Sequence, residues 1–193
     1  KDLYTGNKTL TQFDSVINEG IQSHSADAAR LFFTSNHDEN SWNGTEFEKF
    51  GNAYKAFAVF SQTMAQSIPL IYSGQEMPNK KRLKFFVKDS IDWNGRFQLA
   101  SYYKTLLALR KSNPALSSDA GYRRIASSSD NVVFAYAREK QGRKLLVIFN
   151  MSNTGQKFKI NDTLINGEPF NVFMAMPEKI SSTHEFSLEP WGY

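Results

Sequence analysis

Residues 31–40 read Leu-Phe-Phe-Thr-Ser-Asn-His-Asp-Glu-Asn, "LFFTSNHDEN". Leu31-Phe32-Phe33-Thr34 is apolar or β-prone and reads as a buried strand over 31–35. Asn36, His37, Asp38, Glu39 and Asn40 follow at once, as a polar loop over 36–45. A second stretch of the same grammar lies downstream, "IPLIYSG" at 68–74, a short apolar run stopped by Gly74 and followed by a long polar segment, 75–94. Strands apolar on both faces belong to parallel sheets covered by helices. In such folds the working side chains sit at the carboxyl ends of the strands.

Helical patterns surround these two strands. Thr9 to Gln12 has the form of a capping box, and Leu10, Phe13, Ile17 and Ile21 follow at helical spacing, so a helix is expected over 10–22. A second box, Thr45 to Glu48, opens a helix that places Phe47, Phe50, Tyr54, Phe57, Ser61 and Met64 on one face. A third helix is expected over 97–111, stopped by Pro114. Residues 1–116 therefore read as one α/β unit.

After Ser117 the period changes to two. In "VVFAYAREKQGRKLLVIFNMS", Phe134, Tyr136 and Arg138 face one way and Val133, Ala135 and Ala137 the other. Gln141-Gly142 is the turn of a hairpin whose return strand carries Leu145, Val147 and Phe149. Further strands are expected at 122–127, 156–160, 170–175 and 184–188. Residues 117–193 thus read as an antiparallel β domain.

Composition bounds the function. The chain has 193 residues, is 40% hydrophobic and carries a net charge of +4, with Lys80-Lys81-Arg82 its densest basic run. Apolar Leu83, Phe85 and Phe86 interrupt that run, which argues against a nucleic-acid face. The absence of cysteine removes disulfides and thiolate zinc sites. No apolar run approaches the roughly 18 residues of a membrane span. The first residues, "KDLYTGNKTL", do not form a signal peptide and do not begin with Met, so the chain reads as processed or excised. The compartment stays open.

Taken as residues alone, the cluster at 36–40 has several readings. It could be a solvated, N-capped loop. It could hold a metal through His37, Asp38 and Glu39, although adjacent residues on an extended strand point to opposite faces. A Ser-His-Asp set from Ser35, His37 and Asp38 lacks a Gly-x-Ser-x-Gly elbow.

The stretch resembles the fourth conserved region of the α-amylase superfamily, glycoside hydrolase family 13, at Phe33, Asn36, His37 and Asp38. "IPLIYSGQE" resembles that family's eighth barrel strand at Pro69, Ile71, Tyr72, Gly74 and Glu76. "KRLKFFVKDSIDWN" is similar to the loop that follows, as seen in bacterial α-amylases, and "LLALRKSNPAL" to the last barrel helix. "VVFAYAREKQGRKLLVIFNMS" and "SLEPWGY" resemble parts of the C-terminal β-sandwich. A complete (β/α)8 barrel takes about 250 residues, so two strands are too few to close one. The resemblance implies the last part of a TIM barrel, with strands seven and eight and flanking helices in 1–116. An all-β sandwich would occupy 117–193.

It implies further that Asp38 is the catalytic transition-state stabiliser and that His37, Asn36 and Trp42 bind substrate, an α-glucan oligosaccharide or starch. The enzyme implied is a retaining glycosidase acting on α-1,4-glucans. Its nucleophile and general acid would lie upstream of Lys1, so this chain alone is expected to be inactive. Glu39, Glu76, Asp89 and Asp92 match neither role and are expected to be structural or rim residues. Trp93 and the Phe85-Phe86 pair read as packing, and Trp191 as core of the β domain. Calcium is possible in the parent, but no ligand set is evident in this chain. The cofactor stays open, and the parent leans towards a secreted or periplasmic location. The missing barrel portion, or a second copy, is the expected partner. The alternative is a carbohydrate-binding or accessory module with no activity of its own.

Overall fold

The computed structural model describes residues 1–25, 28–160, 162 and 165–193. Helix α1, Leu10–Gln22, starts at Thr9, whose hydroxyl accepts from Gln12 N while the Gln12 side chain accepts from Thr9 N. Strand β1 is Arg30–Phe32, and a short helix α2, His37–Trp42, follows it. Helix α3, Glu46–Phe50, carries the second capping box. A 3-10 turn, Gly51–Ala53, leads into α4, Tyr54–Thr63, and then into strand β2, Ser67–Pro69. Helix α5 is Ala100–Ser112, with a 3-10 turn at Pro114–Leu116.

Strands β1 and β2 lie side by side and parallel, with Leu31 opposite Ile68 and Phe32 opposite Pro69. The crossover between them runs through α2, α3 and α4. Three expectations need correction. The segment 36–45 is not all loop, since six of its residues form α2. The helix expected from 45 to 65 is broken, because Gly51 sits at φ +46° and Tyr4 OH occupies the space a Cβ would need. The strands are shorter than expected and are not buried on both faces. Phe32 packs against Phe60 of α4, but Leu31 and Ile68 are 56% and 52% exposed on the other face. The described helices cover one side of this two-stranded sheet only.

The antiparallel part is built on strands β3, Gly121–Ile125, β4, Val133–Lys140, and β5, Arg143–Asn150, hydrogen-bonded in that order. The β4–β5 turn has positive φ at both Gln141 and Gly142, the geometry that matches strand twist in a two-residue hairpin. Strand β6, Gln156–Lys159, pairs with β9, Glu185–Leu188, and β7, Phe170–Asn171, with β8, Met176–Pro177. The expected strand at 170–175 is therefore only two residues long and turns back on itself.

Strand β4 is buried on both faces, as its alternation indicates. Phe134 and Tyr136 join a core with Phe57, Phe60, Leu106 and Trp191, while Val133 and Ala135 join a second core with Ile125, Phe158 and Ile160. The first core crosses the 116/117 line. A buried cation reinforces that junction. Arg138 is fully buried and donates to Thr63 O at 2.9 Å, Gly121 O at 3.0 Å, Ser117 O at 2.9 Å and Ala120 O at 3.1 Å. A guanidinium there satisfies the carbonyl at the end of α4 and complements the negative end of its dipole. Burial pulls its pKa down to about 10, so it keeps its charge at neutral pH.

Candidate active site

The polar cluster forms around the start of α2. Asn36 caps the helix in an extended conformation, its side-chain oxygen accepting from Glu39 N at 2.7 Å. Asp38 and Glu39 occupy the first turn, where carboxylates are favoured by the helix dipole. A helix of six residues, five of them polar, would not hold by itself. Tertiary bonds hold this one. Asn40 is buried and donates to Lys81 O at 3.2 Å while accepting from Leu83 N at 2.7 Å. Ser41 donates to Leu83 O at 2.7 Å. Glu39 accepts from Lys49 Nζ of α3 at 3.2 Å and from Asn43 at 3.0 Å.

This leaves His37 and Asp38 facing outward, their side chains 73% and 55% exposed and 3.6 Å apart. Beside them runs an exposed aromatic ridge. The His37 ring stacks on Phe85 at 6.3 Å and 14°, Trp42 tilts onto Phe85 at 5.3 Å, and Phe86 meets Trp42 edge-on at 5.9 Å. Phe86 is 82% exposed. The reading of this pair as packing is therefore corrected: both rings lie at the surface, against two candidate site residues. Trp93 is also exposed, whereas Trp191 is buried in the core.

The loop presenting this ridge is tied down by charge. Asp89 accepts from Lys81, from Lys84 N at 3.0 Å and from Ser90 N at 2.8 Å, and the Lys81 bond chiefly holds its carboxyl well below the usual range. Arg82 spans both oxygens of Glu48 at 3.0 Å, which pulls that carboxyl down to about 2. Lys80 lies over the Phe47 ring. The basic run is thus engaged within the fold. Glu76 accepts from Gly74 N at 3.1 Å. Among the described residues, no group of three or more His, Cys, Asp or Glu side chains could hold a metal ion.

Behind α2 lies a second, buried polar group. Thr34 Oγ1 donates to Glu46 Oε2 at 2.8 Å, Gln75 Nε2 donates to the same oxygen, and Gln75 reaches Tyr103 OH at 3.2 Å. Burial pushes the Glu46 carboxyl up to about 7 against the opposing hydrogen bonds. Sequence reasoning missed Asn40, Ser41, Glu46 and Gln75. Glu46 follows the Thr45 cap, where a solvent-exposed first-turn acid is the ordinary expectation.

With this geometry, comparison with other proteins is informative. No family model matches the chain. Alpha-amylase 2 of Dictyoglomus thermophilum is 25% identical over 176 residues, 84% of this chain and 30% of that protein. Alpha-amylase MalA of Haloarcula japonica is 30% identical over 132 residues, 65% of this chain and 18% of that protein. The crystal structure of AmyB, a maltogenic alpha-amylase of Thermotoga neapolitana, superposes with a TM-score of 0.74 at 18% identity, over 97% of this chain and 46% of that one. The chain therefore has the fold of part of an α-amylase-fold enzyme and resembles the α-amylase superfamily over most of its length, as its motifs imply. It spans less than half of each of these relatives.

Proposed function

We propose that this chain is part of a retaining glycoside hydrolase of the α-amylase type, acting on α-1,4-glucans. Residues 1–116 are the end of its (β/α)8 barrel, with β1 and β2 as strands seven and eight, and residues 117–193 its C-terminal sandwich. The observation that carries this reading is the placement of Asn36-His37-Asp38. The cluster follows the carboxyl end of a strand that pairs in parallel with β2, next to an aromatic ridge.

Breaking a glycosidic bond develops positive charge on the sugar ring. A carboxylate held by a capped, stapled helix favours that charge with little reorganisation. Asp38 is the group for this role, with His37 beside it to bind a sugar hydroxyl. Asn36 orients both through its cap, and Trp42 offers a flat apolar face to the ring. The nucleophile and the general acid are supplied by the part of the enzyme outside this chain. Glu39 and Asp89 are committed to lysines, and Glu76 to a backbone amide, so none is free to replace them. The open Leu31–Ile68 face is where the remaining strands would pack.

In the full-length enzyme, Asp38→Asn lowers turnover by roughly 10²–10³ with the fold retained, the scale of losing one transition-state electrostatic contact. A loss below tenfold would remove Asp38 from the site. Should maltooligosaccharide binding to the isolated chain survive Asp38→Ala and depend on residues after 117, the accessory-module reading replaces this one.

A further inference from the structure

Glu46 has no part in the chemistry above, yet it is one of the most enclosed carboxyls in the chain, only 2% exposed. Its two oxygens differ. Oε2 accepts from both Thr34 and Gln75, while Oε1 is buried with no partner in the protein. The amide of Gln75 cannot turn to relieve this, because its oxygen accepts from Tyr72 N at 2.6 Å. A second buried atom, Ser35 Oγ, is also unpartnered, and Ser35 is 2% exposed. Ser35 and Glu46 line one small cavity of about 10 Å³, with Asn40, Thr45, Tyr72, Ser73, Gln75 and Asn79. That volume is close to the minimum for one water, and the walls are polar.

The cavity touches both flanks of the exposed cluster. Thr34 and Ser35 immediately precede Asn36, and Asn40 is the residue that staples α2 to Lys81 and Leu83. We propose that Glu46 is a positioning residue for Asn36-His37-Asp38. As a neutral acid it carries its proton on Oε1 and donates through one bound water to Ser35 Oγ, clamping the end of β1 and the start of α2 against β2. Loss of the proton removes that donor and leaves a charge in a site with no cation in contact. The other ionisable groups around it are Lys49 on its own helix, Tyr54 of α4, Tyr72 in the cavity wall and Glu76, both after β2, and Tyr102 and Tyr103 of α5. Lys49 is already bound to Glu39, and burial holds all four tyrosines above the usual phenol range. The upward shift of Glu46 itself, mainly from burial, agrees with the geometry.

The test is NMR on the whole chain between pH 5 and 9. Since imidazoles titrate in this range, it is run in a His37→Gln background. The expected result is one transition near pH 7 in the amide signals of Asn36 and Asp38 and in the Trp42 indole N–H. Glu46→Gln keeps a donor of the same shape. It should abolish the transition and hold the signals at their low-pH positions. A cross-peak from bound water to the Ser35 amide is expected in both. A transition that persists in Glu46→Gln, or no transition in the parent chain, overturns the proposal. So does Glu46→Ala that folds by circular dichroism and leaves the Asn36 and Asp38 signals unmoved. If Glu46→Ala does not fold, the Glu46→Gln titration decides alone. No readout involves sugar, so failure of the glycosidase reading is a separate result.

Discussion

The two sheets at the centre of this chain are built to opposite specifications. In the β3-β4-β5 sheet the middle strand runs for eight residues and is buried on both faces, with Val133, Phe134, Ala135, Tyr136 and Arg138 all at 0% exposure. In the β1-β2 sheet each strand has three residues, and the facing pair Leu31 and Ile68 lies open. The first sheet is covered on both sides, by the helices on one and by β6 and β9 on the other. The second is covered on one side, and the polar cluster hangs from its carboxyl end. Among the described residues, apolar burial is therefore concentrated away from the candidate site, whose buried groups are polar. That site is instead held by hydrogen bonds: the Asn36 cap, the Asn40 and Ser41 staples, and the Glu39–Lys49 pair.

The largest expected effects fall on the closed sheet. Arg138→Ala, measured by urea unfolding, should cost about 3–5 kcal/mol, because the carbonyls of Thr63, Ser117, Ala120 and Gly121 lose their donor and a buried unpaired group costs about 1–3 kcal/mol. Phe149→Ala should cost a similar amount through lost burial and the cavity left behind. Either value under about 1 kcal/mol would end the contrast between the sheets. Next comes pH. The folded-state value for Glu46, about 7, lies above its ordinary value of 4.5. Its contribution is therefore complete below pH 4.5 and is lost as pH rises through 7. Unfolding free energies at pH 5 and pH 8 should differ by about 3 kcal/mol from this group, at 1.36 kcal/mol per pKa unit, and Glu46→Gln should flatten the difference. Asn40→Ala should cost about 1–3 kcal/mol, since Leu83 N and Lys81 O lose their partner, and should raise hydrogen exchange across 36–42. Smallest of all, Leu31→Ser should stay within about 0.5 kcal/mol in this chain. A loss of several kcal/mol would show that the open face is covered in solution, which light scattering would reveal as self-association.

Much of this was legible from residue order. Thr9 with Gln12 and Thr45 with Glu48 marked two helix starts that the structure keeps. The alternation from Val133 to Ala137 separated the residues onto two faces, and each face joins a different core. Helix α2 was not legible, because five polar residues and Trp42 carry no helical period. It exists through a cap and through bonds to residues about 40 positions away. The break at Gly51 was hidden for a related reason. Phe47, Phe50, Tyr54 and Phe57 keep helical spacing across it, and the requirement for glycine comes from Tyr4, distant in sequence.

Residue order was enough for the first and last helices, the hairpin, the parallel pairing of the two short strands and the identity of the polar cluster. Periodicity, caps and turn residues act within a few positions along the chain, so they can be read locally. Tertiary structure alone decided which face of β1 and β2 stays open. It also set Phe85 and Phe86 beside His37 and Trp42, and buried the first-turn acid Glu46. Those outcomes depend on which distant groups exclude water from a given side chain, and no local pattern encodes that.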